Sequence, residues 1–264
     1  MNRIRVGAGG WNYDPWRETF YPKDVPKARE LHYASRQLTA IEVNGTFYRL
    51  QKPETFAKWR DETPDDFVFS LKAPRYLTNR KHLAEAVPLM GRFLESGLSE
   101  LGKKLGPILW QLAPNHAFDA ADLKQFLSSL PQDIGGRRMR HVLEARHASF
   151  MTEALIDLLR SHGVALVFAD TDEHPSFAEA TTDFVYARLM RSEAKVETGY
   201  PKAALEQWAA RARLWAQGSE PRDVPRITGS AAQGAPRDVF LFFINGAKER
   251  APAAARALIE ILRS

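Results

Sequence analysis

The sequence predicts an α/β fold, a single (β/α)8 barrel of the TIM type. Three observations carry that expectation. Short apolar runs recur eight times, most are continuously apolar rather than alternating, and helical patterns separate most of them. Continuous apolarity marks strands buried on both faces. Strand–helix alternation repeated this often fits a closed parallel barrel better than its rival, an open doubly wound sheet. At 264 residues the chain has the length of one such barrel, so one domain over 1–264 is expected.

The runs, in order, are 4–8, 40–44, 67–73, 107–112, 141–146, 165–170, 184–189 and 239–245. Between them, Pro53 is placed to start a helix that carries Phe56 and Trp59 on one face. A second helical stretch, 83–101, is kinked or divided by Pro88. Helices over 120–130 and 152–161 follow, the latter stopped by Gly163. The stretch 201–217 sets Leu205, Trp208, Ala212 and Trp215 at helical spacing, and a last helix spans about 252–262. The link between the sixth and seventh strands is short and lacks a long helix. Residues 219–237 carry Pro221, Pro225, Gly229, Gly234 and Pro236 and read as a flexible loop insertion between helix 7 and strand 8. A helix-to-strand connection lies at the N-terminal face of a barrel, away from the chemistry.

Composition narrows the function classes. Hydrophobic residues at 44% and charged residues at 26% are the mix of an ordinary soluble globule. Thirty-seven Lys and Arg against 32 Asp and Glu give a net charge of +5, enough to suit an anionic ligand and too little to indicate nucleic acid by itself. Cysteine is absent, which excludes disulfides, a thiol nucleophile, Cys-ligated zinc and cysteine-held clusters, and fits a cytoplasmic location. No signal-like stretch follows Met1, and the longest apolar runs fall far short of the roughly 20 residues that span a bilayer, so no membrane association is expected.

A barrel works at the C-terminal ends of its strands, and polar residues gather at those ends here. Glu42 and Asn44 end the second run, Ser70 and Lys72 the third, Gln111 the fourth, Glu144 and Arg146 the fifth, Asp170 the sixth, Arg188 the seventh and Asn245 the eighth. Residues two apart on a strand share a face, so Glu42 with Asn44, Ser70 with Lys72 and Glu144 with Arg146 are same-face pairs. Pointed inward, the set makes one ring of three carboxylates, three cations and three amides. Burying such groups costs several kcal/mol each unless they are paired or hydrated. Structural ion pairs and the ordinary polarity of strand ends account for any one of these residues, but less readily for all of them together.

The first loop adds glycines and aromatics: Gly7, Gly9 and Gly10, then Trp11, Tyr13, Trp16, Phe20 and Tyr21. Its glycine spacing is not a dinucleotide fingerprint, and no organic-cofactor motif occurs. Phe20 and Tyr21 read as a plug for the barrel end, whereas Trp11 and Tyr13 serve equally as plug or as stacking surface for a ligand. Arg49, Arg75, Arg80, Lys81 and Arg191 follow strands two, three and seven and make the mouth electropositive, Arg80, Lys81 and Arg191 reading as solvated rim. Glu42, Glu144, Asp170 and His147 include donors for a divalent metal, but the cations among them disfavour one, and no HxH or HExxH spacing exists. His147 equally suits a base or a cap for the next helix. No GxSxG nucleophile motif occurs.

The same residues carry a resemblance. The runs 7–13 (GAGGWNY), Trp16, 20–22 (FYP), 42–48 (EVNGTFY, ending on Tyr48), 69–74 (FSLKAP), 106–112 (GPILWQL), 144–147 (EARH), Asp170 and 186–189 (YARL) resemble, in this order, the YecE-like family, domain of unknown function 72. The resemblance spans nearly the whole chain and implies a TIM-type barrel. It implies no reaction, because the family has none established. Five positions, in four places along the chain, depart from the family pattern. Met190 and Arg191 stand where it has His-Gly after strand seven, Ile244 precedes Asn245 where it has paired asparagines, Asn79 replaces a histidine after Thr78, and Phe150 occupies a Trp position. Two absent histidines weaken a metal or histidine-base mechanism for this chain.

The reading favoured from sequence is an enzyme doing acid/base chemistry on a small polar or anionic molecule at the mouth. Glu42 and Glu144 are the acid/base candidates. Lys72 serves as charge stabiliser, or as a Schiff-base nucleophile if its pKa is depressed. Arg146 and Arg188 clamp a carboxylate or phosphate, and Asn44, Gln111 and Asn245 orient hydroxyls. Glycosidase chemistry is a further option for two glutamates among aromatics. The competing classes are a metal-assisted phosphoesterase or nuclease, by fold analogy alone, and a non-catalytic binder of nucleic acid or protein. No motif specifies the substrate or an oligomeric state.

Overall fold

A computed structural model describes residues 4–228 and 234–264. Eight parallel strands close into a barrel: β1 (Ile4–Gly9), β2 (Ala40–Val43), β3 (Val68–Lys72), β4 (Leu105–Gln111), β5 (His141–Glu144), β6 (Val164–Asp170), β7 (Phe184–Leu189) and β8 (Asp238–Phe243). Neighbours follow chain order around the ring, and β8 closes on β1 with Val6 opposite Leu241. The apolar runs mark the strands to within about two residues. Five runs extend past the strand, and three of these place Asn44, Arg146 and Asn245 just beyond β2, β5 and β8.

Alternation sorts the strand residues into two cores. One cluster fills the barrel and includes Ala40, Leu109, Val142, Val167, Tyr186 and Phe242. The other packs strands against helices and includes Ile41, Leu71, Trp110, Leu143, Phe168 and Ala187. Inward places are therefore 40, 42 and 44 on and after β2, 142, 144 and 146 on and after β5, and 184, 186 and 188 on β7.

The helices form where apolar spacing and caps allow. Helix α1 (Glu30–Gln37) follows β1 and has no counterpart in the expected elements, because its buried face mixes Leu31 and Ala34 with Glu30 and Ser35. Helix α2 (Pro53–Glu62) begins on Pro53 and buries Phe56 and Trp59, each worth roughly 1.5–3 kcal/mol of transfer free energy. The stretch over 83–101, expected to be kinked or divided by Pro88, is divided: 3-10 turns span Leu83–Leu89 and Leu98–Lys104 around a short helix, Met90–Leu94. Pro88 removes a backbone donor, and Gly97 takes a left-handed φ of 110° against Pro53. Helix α3 (Ala120–Ser128) is capped by Asp119, and α4 (Glu153–His162) runs from a Thr152 cap to a left-handed Gly163. Helices α5 (Lys202–Ala216) and α6 (Ala251–Arg263) complete the ring. A two-residue hairpin, Asp133–Ile134 with Arg137–Arg138, precedes β5.

Between β6 and β7 the described chain has no helix, as expected. Part of the 219–237 segment, including Gly229, lies outside the described residues. Residues 219–228 hold neither helix nor strand. They dock on the β6–β7 connection, where the buried Glu179 carboxylate accepts hydrogen bonds from Ile227 N, Thr228 N and Thr228 Oγ1 at 2.8–2.9 Å. Among the described residues no helix is long and apolar enough to cross a membrane.

Candidate functional site

Arg188, inward on β7 and 2% exposed, is the hub of the barrel mouth. Its Nε and Nη2 donate to the two oxygens of Glu42 at 3.1 and 2.9 Å. Its Nη1 donates to Glu144 Oε2 at 2.6 Å and to Gln111 Oε1 at 3.2 Å. Arg146 reaches Glu144 Oε1 from Nε at 2.9 Å and Gln111 Oε1 from Nη2 at 3.1 Å. Tyr186, two residues before Arg188 on the same face, donates to Glu42 Oε2 at 2.8 Å, and its oxygen lies 2.8 Å from Ser70 Oγ. β1 leaves room for this cluster because Gly7 and Gly9 take its inward places; a Cβ on Gly7 would lie 1.9 Å from the Ala40 carbonyl oxygen.

Burial alone would raise the Glu144 carboxyl, but Arg188, Arg146 and Lys72 together hold it below the ordinary carboxylate range. Burial opposes the Arg188 charge, and Glu144 and Glu42 more than restore it, so its pKa is raised. Tyr186 is pushed well up by burial and the Glu42 charge. Glu144 is therefore held as a carboxylate, and the oxygens of both glutamates are matched by donors. The Arg188 guanidinium bridges the two.

Lys72 differs. It ends β3 at 7% exposure, and among the described residues its Nζ makes no hydrogen bond or ion pair. Its contact is the Phe47 ring, 4.0 Å from Nζ to the centroid. That ring is held by a short helical turn, Gly45–Tyr48, which Thr46 pins by donating to the carbonyls of Lys72 (2.7 Å) and Val43 (3.1 Å). Burial, then the Arg188 charge, pull the Lys72 amine down to about 8, with Glu42 and Glu144 opposing.

His174, on the β6–β7 connection, is a mouth residue that the sequence reading missed. Its side chain is 8% exposed, and its Nε2 lies 3.9 Å from Glu144 Oε1 without a hydrogen-bond partner. No strand period marks it, because it belongs to a loop. Tyr186 and Phe47 were also missed, although Tyr186 shares the inward face of Arg188 and could have been found by counting two residues back.

Two of the expected ring members are elsewhere, for one reason. The inward places on β6 are Ala165, Val167 and Ala169, and on and after β8 they are Phe240, Phe242 and Ile244. Asp170 and Asn245 therefore have the opposite parity. Asp170 pairs with Arg191 Nε at 3.2 Å, and burial raises its pKa against that charge. Asn245 is exposed, and Ile244 and Met190 pack inside the barrel instead. The ring of three carboxylates and three cations becomes two carboxylates, Glu42 and Glu144, with three cations, Lys72, Arg146 and Arg188. These five groups carry a net +1.

The remaining candidates have protein partners or face solvent. His147 caps the turn Ala148–Phe150 through its Nδ1. Trp11 packs edge-on against Trp59, centroids 5.1 Å apart, and Tyr13 lies under Lys248 Nζ at 4.3 Å. Phe20 and Tyr21 are buried, and Tyr48 is 71% exposed. Asn44 lies beside Gly9, its Nδ2 3.3 Å from where a Cβ would be. Arg80 and Lys81 line a separate cleft of about 650 Å3 with Asn79, His82 and His116. The metal-donor set is not assembled: His147 is a cap and Asp170 is on the outer face. Among the described residues no three His, Asp or Glu side chains come together as a metal site.

Residues 5–264 match the family described as "Protein of unknown function DUF72". The chain belongs to that family. It is 28% identical over 151 residues to the UPF0759 protein YecE of Escherichia coli K12, a match covering 57% of this chain and 51% of YecE. The UPF0759 protein YunF of Bacillus subtilis matches at 28% over 78 residues, 30% of this chain and 27% of YunF. The matched region thus spans about half the length of YecE and less of YunF. Among solved structures, a DUF72 protein of Thermotoga maritima superposes with a TM-score of 0.74 at 20% identity, over 99% of both chains. A DUF72 protein of Enterococcus faecalis gives 0.71 at 16% identity, over 99% of this chain and 96% of that one. At these identities the likeness is one of fold, and it agrees with the closed barrel described above. No specific reaction or substrate comes with the DUF72 description.

Proposed function

We propose that this DUF72 protein is an enzyme that carries out acid/base chemistry on a small anionic molecule at the C-terminal mouth of its barrel, with Lys72 as the proton-transferring group. The observation that carries the reading is the Lys72 amine. It is buried, it lacks an acidic partner within hydrogen-bond distance, and its pKa of about 8 lets it exchange protons near neutral pH. A buried lysine kept only for stability would be paired, because an unpaired one is costly.

Three further features support an anionic substrate. The five charged groups sum to +1. Arg146 is 18% exposed, and its Nη1 has no partner among the described residues although Nε and Nη2 are committed. The Gln111 amide accepts from both guanidinium groups, which fixes its flip and leaves its Nε2 free to donate. In this reading Arg146 and Gln111 hold the anion, Arg188 holds both glutamates in place, and His174 Nε2 supplies a second exchange point beside Glu144.

Thermal melting in inorganic phosphate or succinate, against chloride at matched ionic strength, tests the anion site. The expected result is a saturable rise of about 3–5 °C at ten times the dissociation constant, lost in Arg146→Gln. No rise with either anion, or a rise unchanged in that variant, would remove the reading.

A further inference from the structure

The mouth holds a buried amine, a spare guanidinium N–H and an unpartnered imidazole nitrogen within one charge cluster. The acid/base reading uses the amine as a proton carrier, the guanidinium to hold the anion and the imidazole as a second exchange point. The amine's surroundings suit a more specific task. Phe47 covers Lys72 at 4.0 Å, so the neutral amine and a neutral adduct on it are sheltered from bulk water. Neither Glu42 nor Glu144 competes for Nζ, because the guanidinium groups already occupy their oxygens.

Resting on the anion-site reading above, we propose that Lys72 forms an imine with a small carbonyl compound bearing an anionic group. In the step, the Nζ lone pair attacks the carbonyl carbon and the C=O π pair moves to oxygen. The ammonium proton passes to that oxygen to give a carbinolamine. Protonation of the hydroxyl then lets water leave as the C=N bond forms. Amine, carbonyl and one proton give iminium and water, with no oxidant or reductant consumed. The anionic group lies on Arg146 Nη1, the guanidinium nitrogen that Glu144 and Gln111 leave uncommitted among the described residues. His174 Nε2, without a hydrogen-bond partner among the described residues and 3.9 Å from Glu144 Oε1, passes the proton that releases water. The depressed amine pKa agrees with this role: more of Lys72 is neutral near pH 7.5 than of a surface lysine.

The test is cyanoborohydride trapping at pH 7.5 with glyoxylate, pyruvate, glyceraldehyde 3-phosphate and, as neutral control, glycolaldehyde, followed by peptide mass spectrometry. The 2-oxo acids and the phosphorylated aldehyde separate carboxylate from phosphate as the anion. The expected result is labelling of Lys72 at least about 10-fold faster than of exposed lysines, faster with an anionic probe than with glycolaldehyde. That anionic preference disappears in Arg146→Gln, which keeps the amine. Reducing without a carbonyl compound gives no label. Lys72→Arg loses the label while keeping a cation, and its melting temperature confirms that it folds. If phosphate or succinate stabilises the protein but no probe labels Lys72 above the surface lysines, the imine is wrong and the anion site stands. If neither stabilisation nor labelling occurs, both fall.

Discussion

The two ends of this barrel both bury charge, and they treat it differently. At the N-terminal face, Glu179 is fully matched: two backbone amides, a threonine hydroxyl and Arg226 all donate to it, the guanidinium at 3.1 Å. Beside it, Glu220 pairs with Arg226, and Arg237 approaches from 3.8 Å. Every acceptor on Glu179 has a donor from the chain, so this network ties 219–228 to the β6–β7 connection. At the C-terminal mouth the carboxylates are matched as completely, but Lys72 Nζ, Arg146 Nη1 and His174 Nε2 are left without a hydrogen-bond partner among the described residues. Saturated charge reads as a staple and surplus polar groups read as a site, so the distinction lies in the remainder rather than in the number of ion pairs.

The strongest way to break the comparison is Arg188→Met, which leaves Glu42 and Glu144 buried in the barrel without their shared guanidinium. A loss of about 3–5 kcal/mol in chemical denaturation is expected. A loss below 1 kcal/mol would mean that the mouth cluster is wetter and looser than described. The second largest effect is a pH dependence. The folded protein binds the Lys72 proton less tightly than the unfolded chain does, with a pKa of about 8 against 10.5. Between those values the unfolded state holds more protons, so stability contributed at Lys72 rises as pH climbs from about 8 to 10.5, and the cost is fully present below 8. The difference between wild type and Lys72→Met isolates this term and should change by on the order of 3 kcal/mol across the window. A flat difference would make Lys72 an ordinary solvated lysine.

Glu179→Gln probes the other end. It keeps the shape but weakens the accepting oxygens, and a loss of about 1–3 kcal/mol is expected. The phosphate-induced melting shift should be untouched, since the network is remote from the mouth. A lost shift would mean that the two ends are coupled. The smallest effect belongs to Tyr48→Ala. An exposed ring on the rim should alter stability by no more than about 0.5 kcal/mol and leave anion binding as it was, and a larger change in binding would return Tyr48 to the site.

Much of the barrel was legible in the sequence because a strand buried on both faces must be apolar throughout, and the β/α rhythm did the rest. Helix α1 was not, since its buried face carries Glu30 and Ser35; in the 83–101 stretch Pro88 foretold a kink or division, but nothing in the local spacing marked the second break at Gly97. Charge at the strand ends pointed to the mouth and to Glu42, Lys72, Glu144, Arg146 and Arg188. Strand parity, readable in principle, separated Asp170 and Asn245 from them only once the barrel's inner face was known. His174 was out of reach, because a loop places it and no period does. The pairing that ties up both glutamates while Lys72 Nζ has no hydrogen bond among the described residues is a three-dimensional fact, and in the proposed reading it moves the acid/base role from the carboxylates to the amine.

Direct titration of the Lys72 amine tests the central claim most closely, using lysine-labelled protein followed by NMR with and without inorganic phosphate. An amine titrating near 8 in the free protein, moving upward as bound phosphate favours its charged form, is the predicted result. An amine near the ordinary lysine value that ignores phosphate would contradict it.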